Sequence, residues 1–306
     1  MPVNGPIFER ASDAPSAPLG LPLVIALTGF TDAGNAVSQI VEHFREDAAA
    51  QVLVRFTNDV LLDYRARRPL VSFDHDHLTD YQPPRLDISL ATDALGQPFL
   101  LLAGYEPDFA WDAFSAAVLD LANEFGASSV TWVHAIPMPV PHTRPIGTTV
   151  SGTRSDLTAA HSVWQPQTQV PSTAGHLLEF RFAEVGADVA GFVLLVPHYL
   201  ADTEYPAAAL AALDSLTVAT GLVFSGDDLR ESNRAYVEKV TEQVDGSEDL
   251  TRMLQGLEER YDSYMAGSTL ASPMIHTGDL PSADELAAEL ERFLATGPST
   301  DEDKRR

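Results

Sequence analysis

The sequence predicts an α/β protein with a mainly parallel sheet flanked by helices and an α-helical C-terminal appendage. Two observations favour this class. Apolar runs of strand length alternate with amphipathic stretches of helix length as far as residue 226, which is the pattern of β-α-β units. Several of these runs are apolar throughout, as strands covered on both faces are. From Asp227 onward only helical periodicity remains.

The first predicted unit is a strand, a tight turn and a helix. An apolar run over Leu21–Thr28 ends in the glycine-bounded turn Gly29-Phe-Thr-Asp-Ala-Gly34, and helical spacing follows over Ala36–Phe44. Later units repeat this order. The further predicted strands are Gln51–Phe56, Leu86–Leu90, Pro98–Gly104, Ser129–Ile136 and Ala187–Pro197, and the further helices are Asp108–Phe125, Thr173–Val185 and Ala207–Thr220.

The chain divides into four predicted segments. Residues 1–20 are rich in Pro, Ala and Ser and are expected to be loose, and residues 21–226 form the α/β core domain. Residues 227–296 carry three amphipathic stripes, the third after the capping box Ser282-Ala-Asp-Glu285, and predict a helical C-terminal subdomain. Residues 297–306 are polar and predict a flexible tail.

Composition excludes several classes of site. The chain of 306 residues contains no cysteine, which rules out disulfides, thiolate zinc sites and cysteine nucleophiles. The N-terminus lacks a basic-then-apolar signal pattern, and the longest apolar run, Val189–Val196, is much shorter than a membrane span. We therefore expect a cytoplasmic protein without a membrane segment.

The charge balance limits the possible partners. Nineteen basic residues stand against 44 acidic ones, for a net charge of −25, so that DNA or RNA would be repelled by most of the surface. The two lysines, Lys239 and Lys304, both follow residue 238, and no G-x-x-x-x-G-K-[ST] loop occurs. The sequence predicts no nucleic-acid partner and no cofactor.

Polar residues follow four of the predicted strands, at the edge where open α/β sheets bind ligands. If they converge, they form one pocket suited to acid–base chemistry or to ligand binding. The candidate residues are Gly29, Asp32, Gly34, Glu106, His142, Arg144 and His198. Each also has a structural interpretation, because a lone acid or histidine at a strand end is usually just hydrogen-bonded. Asp32 fits a helix N-cap, whereas no structural role is evident for Glu106.

The loop from Ile136 to Pro145 is the most distinctive feature of the chain. It contains four prolines in ten residues, which fix φ and favour extended geometry at the preceding positions. Such a stiff loop is suited to presenting His142, a side chain that titrates near neutral pH, and Arg144, an anion-binding fork.

Known catalytic and metal signatures are missing. Neither a G-x-S-x-G elbow nor an H-E-x-x-H motif occurs. The segment Asp74-His-Asp-His77 would place two imidazoles on one side of a strand, but two ligands do not fill a coordination shell. A surface turn is the favoured interpretation, and we expect no metal site. The identity of any catalytic residue stays open.

Four motifs in order resemble the proteasome assembly chaperone 2 family, in its actinobacterial branch. They are Gly29-Phe-x-Asp-Ala-Gly34, Asp63-Tyr-Arg65 with Arg68-Pro69, Gly104-x-Glu-Pro-Asp108, and Ile136-Pro-Met-x-x-Pro-His-Thr-Arg-Pro145. The resemblance spans about residues 21–264. It implies a phosphorylase/hydrolase-like core, a helical C-terminal part, homo-oligomers that include trimers, and proteasome subunits as partners.

Two features depart from that family. Archaeal relatives dock on proteasomes through a tail with a hydrophobic-tyrosine-any residue pattern, whereas this chain ends Asp303-Lys-Arg-Arg306. The shortage of lysine also argues against an ATP-grasp-like activity. The sequence thus favours a non-enzymatic interaction protein, with a phosphorylase- or hydrolase-like enzyme and a small-molecule sensor, each using the strand-end pocket, as the alternatives.

Overall fold

The computed structural model of the protein describes residues 5–47, 50–164 and 167–267. Its contacts separate the chain into two units, residues 1–258 and 259–306. The sheet and every site discussed below belong to the first unit. The capping box at Ser282 and the tail at 297–306 lie outside the described residues, and the division at residue 227 stays a prediction.

Strands and helices are interspersed along the described chain. The strands are β1 (Phe8–Arg10), β2 (Pro22–Thr28), β3 (Gln51–Phe56), β4 (Leu70–Asp74), β5 (His77–Gln82), β6 (Leu86–Thr92), β7 (Pro98–Tyr105), β8 (Ser129–Met138), β9 (Gly147–Gly152) and β10 (Val189–Pro197). The helices are α1 (Ala36–Asp47), α2 (Asn58–Leu61), α3 (Trp111–Glu124), α4 (Ser155–His161), α5 (Ala174–Glu184), α6 (Pro206–Thr220), α7 (Asp227–Asp245) and α8 (Glu248–Gly267).

An eight-stranded sheet with the order β1-β3-β6-β7-β2-β8-β10-β9 forms the centre. Its four central strands, β7, β2, β8 and β10, are parallel to one another. The strands outside them pair antiparallel. The predicted fold class is confirmed. Its parallel part consists of four mainly apolar strands, because helices cover both of their faces.

Helices cover the sheet on both sides. On one side α1 and α6 bury Ile40, Phe44 and Leu213 against the strands. On the other side α3 and α5 contribute Phe114 and Leu178 to a second core. The parallel strands are therefore shielded from water, and their carboxyl ends remain as the accessible edge.

The first C-terminal helices pack on the α/β body, as their apolar stripes predict. Val240 and Val244 of α7 are buried in the core beside α6. Leu250 and Leu254 at the start of α8 pack against the same cluster. No helix in the described part of the chain combines the length and the apolar character that crossing a membrane requires.

Four strands of the described chain were not evident in the sequence. The expectation of a loose segment over residues 1–20 is wrong for Phe8–Arg10, which pairs with β3 and packs Phe8 on Phe56 at a ring distance of 6.2 Å. The polar stretch after Ile146 supplies the edge strand β9. Strands β4 and β5 form a separate hairpin with every residue exposed. Neither edge strands nor an exposed hairpin requires an apolar run.

Candidate functional site

All of the predicted site residues lie at the carboxyl edge of the sheet. Strands β2, β7, β8 and β10 are parallel neighbours, and each is followed directly by a predicted group. The convergence is nevertheless incomplete. The groups after β2 and β7 meet around Glu106, whereas those after β8 and β10 meet around Tyr199.

Glu106 has a structural role that sequence reasoning missed. Its carboxylate is buried, with the residue 6% exposed. Oε2 accepts a hydrogen bond from the Phe30 N–H at 3.1 Å, and Oε1 accepts one from the Ala174 N–H at 2.6 Å. Since Ala174 is the first residue of α5, the negative charge also lies at a helix N-terminus, where it is favoured. Glu106 therefore joins the ends of β2 and β7 to α5.

The turn after β2 is shaped by this carboxylate and by a helix cap. A Cβ on Gly29 would lie 2.1 Å from Glu106 Oε2, so only glycine fits there. Asp32 accepts hydrogen bonds from the N–H groups of Val37 and Ser38 at 2.7 and 2.8 Å. These contacts match the structural interpretation of Asp32, whose carboxylate is engaged at the start of α1.

Gly34 joins the same turn to the segment that follows β10. Its φ of +69° lies in the region that favours glycine. Its N–H donates to the Ala201 carbonyl at 2.7 Å, and its carbonyl accepts from the Tyr205 N–H at 3.0 Å. Gly34 thus serves the packing of the turn.

The proline loop holds His142 against Tyr199. The Tyr199 hydroxyl oxygen lies 2.8 Å from the His142 nitrogen, whose N–H donates to it, and 2.7 Å from His142 Nδ1. Burial lowers the pKa of His142. Arg144 pairs with Glu258 of α8 at 3.2 Å, and the His198 ring meets the Tyr199 ring edge-on. The loop therefore faces Tyr199, which follows β10, and Glu258 of α8 rather than Glu106.

An open cleft of about 470 Å³ lies at this edge. Among the described residues its lining consists of Thr28, Gly29, Phe30, Thr31, Asp32, Ala33, Asn35, Ser38, Arg67, Pro137, Ala201 and Asp202. Gly29 and Asp32 are thus the predicted residues that line it. Glu106 lines a separate cavity of about 10 Å³, together with Trp132 and His134, which is about the space of one water molecule.

Arg67 is a cleft residue that the sequence analysis did not single out. One guanidinium nitrogen, Nη1, donates to the Glu106 carbonyl at 2.9 Å and to Asp108 Oδ1 at 2.8 Å. The guanidinium carbon lies 5.7 Å from the centre of the Tyr105 ring. The signal was present, because Arg67 stands between two motif pieces, Asp63-Tyr-Arg65 and Arg68-Pro69.

The buried His134 and the half-buried His176, which lie near Glu106, were also missed. His134 Nε2 lies 3.0 Å from the Thr31 hydroxyl. Burial, with the neighbouring His176 ring, lowers the pKa of His134 to about 4. His176 Nδ1 accepts from the Thr173 N–H at 3.1 Å and completes a capping box at the start of α5. The His176 ring therefore supports the start of α5, and burial lowers the pKa of His176 as well.

The hairpin β4–β5 carries the histidine-rich segment that raised a metal hypothesis. His75 and Asp76 form its tip between β4 and β5. The imidazoles of His75 and His77 pair with Asp74 and Asp76 respectively. Among the described residues no group of three or more His, Cys, Asp or Glu side chains is arranged to hold a metal ion. His75 and Asp76 form an exposed turn, as the surface-turn interpretation predicted.

Comparison with known proteins identifies the family. Residues 26–244 match the family model of the PAC2 family. The chain belongs to the PAC2 family. This confirms the resemblance in the four motifs, all of which lie within the matched range. No match was found among curated proteins.

Several solved structures share the fold of this chain. A Corynebacterium glutamicum protein of unknown function is 33% identical with a TM-score of 0.81, covering 85% of this chain and 98% of its own. A Mycobacterium tuberculosis protein of unknown function is 38% identical with a TM-score of 0.78, covering 85% and 90%. A proteasome-assembly chaperone homologue from M. tuberculosis is 21% identical with a TM-score of 0.69, covering 76% and 100%, and is similar in fold.

The structural role of Glu106 leads to a first prediction. Glu106→Gln keeps the shape of the side chain but removes its charge and one of its two acceptor oxygens. We expect the free energy of unfolding in urea at pH 7 to fall by about 1–3 kcal/mol, because one backbone N–H loses its acceptor. Glu204→Gln, at an exposed position, is the matched control. Equal unfolding free energies for both variants and the wild type would contradict the role.

A second prediction concerns pH. Because the folded-state pKa of His134 is about 4 against an ordinary 6.5, the unfolded chain binds the extra proton as pH falls below 6.5, and stability declines toward pH 4. Between pH 7 and pH 5 this histidine should account for about 2 kcal/mol of lost stability. His134→Gln should reduce the pH dependence of the unfolding free energy by that amount.

The measurement is urea unfolding of both proteins at pH 7 and pH 5. Comparing the change with pH, rather than stability at one pH, separates titration from loss of packing. The same substitution at His75, on the exposed hairpin, controls for the general effect of replacing an imidazole. An unaltered pH dependence in His134→Gln would show that the ring is not held neutral in the folded state.

Proposed function

We propose that this PAC2 protein is a non-enzymatic, chaperone-like interaction protein that acts in the cytoplasm as a homo-oligomer, with a trimer as the leading state and proteasome subunits as the leading partners. Family membership supports the proposal. So do the names of two relatives in fold, a proteasome-assembly chaperone homologue and an archaeal proteasome activator from Pyrococcus furiosus. The exact complex on which it acts is part of the proposal.

The state of the candidate acid–base groups favours this role over an enzyme. Glu106 and Asp32 each accept hydrogen bonds from two backbone N–H groups. His142 is held by Tyr199, and Arg144 pairs with Glu258. A general acid or base needs a lone pair or proton directed at a substrate, whereas these groups are directed at the protein itself.

The exposed hairpin is the observation that carries the proposal. Every residue of β4 and β5 is exposed. These residues include four large apolar or aromatic side chains, each between 63% and 71% exposed: Leu70, Phe73, Leu78 and Tyr81. Phe73 stands directly opposite Leu78 in the register. An isolated two-stranded hairpin is marginal in water, and contiguous exposed apolar side chains mark interaction surfaces. We infer that a second copy of the chain covers this hairpin in the oligomer.

The hairpin proposal is tested by the mass of the protein in solution. Replacing Phe73 and Leu78 together by Asp places charges on the apolar pair, and we expect the oligomer to dissociate to monomers by light scattering after gel filtration. Leu95→Asp is the matched control, since Leu95 is 70% exposed in a loop outside the hairpin. If the double variant keeps the mass of the wild type, the hairpin is not the assembly surface.

Partner identity is tested by affinity capture of the tagged full-length protein from its own cells. We expect mass spectrometry to show enrichment of proteasome α-subunits over a capture with the tag alone. Capturing with the Phe73 and Leu78 double variant in parallel shows whether partners require the assembled form. A preparation that contains the bait without proteasome subunits would refute the proposed partner. Deleting residues 227–306 would not be a clean test of partner binding, because the deletion removes Val240 and would expose the core that it covers.

A further inference from the structure

We propose that the 470 Å³ cleft at the carboxyl edge binds an amino acid or a short peptide, with the ligand carboxylate at Arg67 and its ammonium group at Asp202. The inference concerns a ligand site and does not depend on the oligomer or on a proteasome partner. Some polar groups of the cleft already form hydrogen bonds within the protein, and the others can bind a ligand.

Arg67 is positioned in advance and has unused donors. Its Nη1 is fixed by the Glu106 carbonyl and by Asp108, and the guanidinium lies over the Tyr105 ring. Among the described residues Nε and Nη2 have no hydrogen-bond partner, and the side chain is 30% exposed. These two donors form one edge of a planar fork, whose spacing matches the two oxygens of a carboxylate.

Asp202 supplies the complementary charge. The Asp32 carboxylate, which also lines the cleft, is engaged by α1. Asp202 is exposed and makes no hydrogen bond or ion pair with the described residues. Within the part of the chain that the structure describes, the cleft lining therefore offers one cation, Arg67, and one available anion, Asp202. That pairing fits a zwitterion, and it disfavours a phosphate dianion, which Asp202 and a chain of net charge −25 would repel.

The remaining lining fits the body of such a ligand. Phe30 lines the cleft and is 68% exposed, and the hydrogen bond from its N–H to Glu106 holds the backbone of the turn. Pro137 adds a second apolar surface. A volume of about 470 Å³ lies in the range of small-molecule sites, and it accommodates an amino acid with an apolar side chain or a dipeptide.

The test uses calorimetric titration of the full-length protein with a matched set of probes. L-Phenylalanine and the dipeptide Phe-Phe carry both charged groups, the methyl ester of phenylalanine lacks the carboxylate, and 3-phenylpropanoate lacks the amine. We expect saturable binding of the two zwitterions. Affinities should be at least about tenfold weaker for the ester and for the acid, because each lacks one of the two charged groups and its hydrogen bonds. Inorganic phosphate is titrated alongside.

Variants assign the two ends of the ligand. Asp202→Asn, at an exposed position where folding is not at risk, should weaken phenylalanine binding about tenfold and leave 3-phenylpropanoate unchanged, because that acid has no amine. Asp120→Asn, an exposed change on α3, should alter neither. Arg67→Lys keeps the cation but removes the fork, and should weaken all carboxylate probes.

Three results would overturn the proposal. They are the absence of saturable binding by either zwitterion, equal affinity for phenylalanine and its ester, and tighter binding of phosphate than of phenylalanine. Equal effects of Asp202→Asn on phenylalanine and on 3-phenylpropanoate would reject the assignment of the ammonium group. Because none of these measurements involves a protein partner, they succeed or fail separately from affinity capture.

Discussion

The buried carboxylate of Glu106 is the interaction on which the carboxyl edge depends. Its two oxygens accept from backbone N–H groups 76 and 68 residues away in the chain, so that one side chain joins β2, β7 and α5. A buried charge is tolerated only when its hydrogen-bonding capacity is met. Gly29 must stay without a side chain to let the carboxylate approach. This bond also sets the position of Phe30, and the Glu106 carbonyl holds Arg67.

The division of polar groups at this edge follows from that arrangement. Carboxylates and imidazoles close to the strands support helix starts: Asp32 at α1, and Glu106 with His176 at α5. Groups further out, on the segments after α2 and β10, keep donors and acceptors for other molecules. The sequence therefore suggests many acid–base residues at this edge. Most of those close to the strands stabilise helix starts, and only a few groups further out can contact a ligand.

How much the sequence could predict depended on where the partners of each residue lie. The central strands were predicted because their apolar runs need no knowledge of neighbours, and Asp32 was recognised as a cap because Val37 and Ser38 are close in sequence. The role of Glu106 could not be predicted, since its partners are distant in the chain and are backbone groups. The hairpin was missed because its apolar residues are exposed on a two-stranded ribbon, and burial is what gives strand patterns their regularity.

The cleft and the hairpin are close in sequence, with Arg67 three residues before Leu70. We therefore ask whether ligand binding in the cleft is coupled to assembly through the hairpin. Coupling requires a ligand to bind two states of the protein differently. Arg67 is already held by Glu106 and Asp108, and the Asp63 N–H donates to the second oxygen of Asp108 at 2.7 Å. A ligand that meets Arg67 in this position has no rearrangement to drive at the root of the hairpin. The geometry therefore argues for two independent surfaces, one for a small zwitterion and one for assembly.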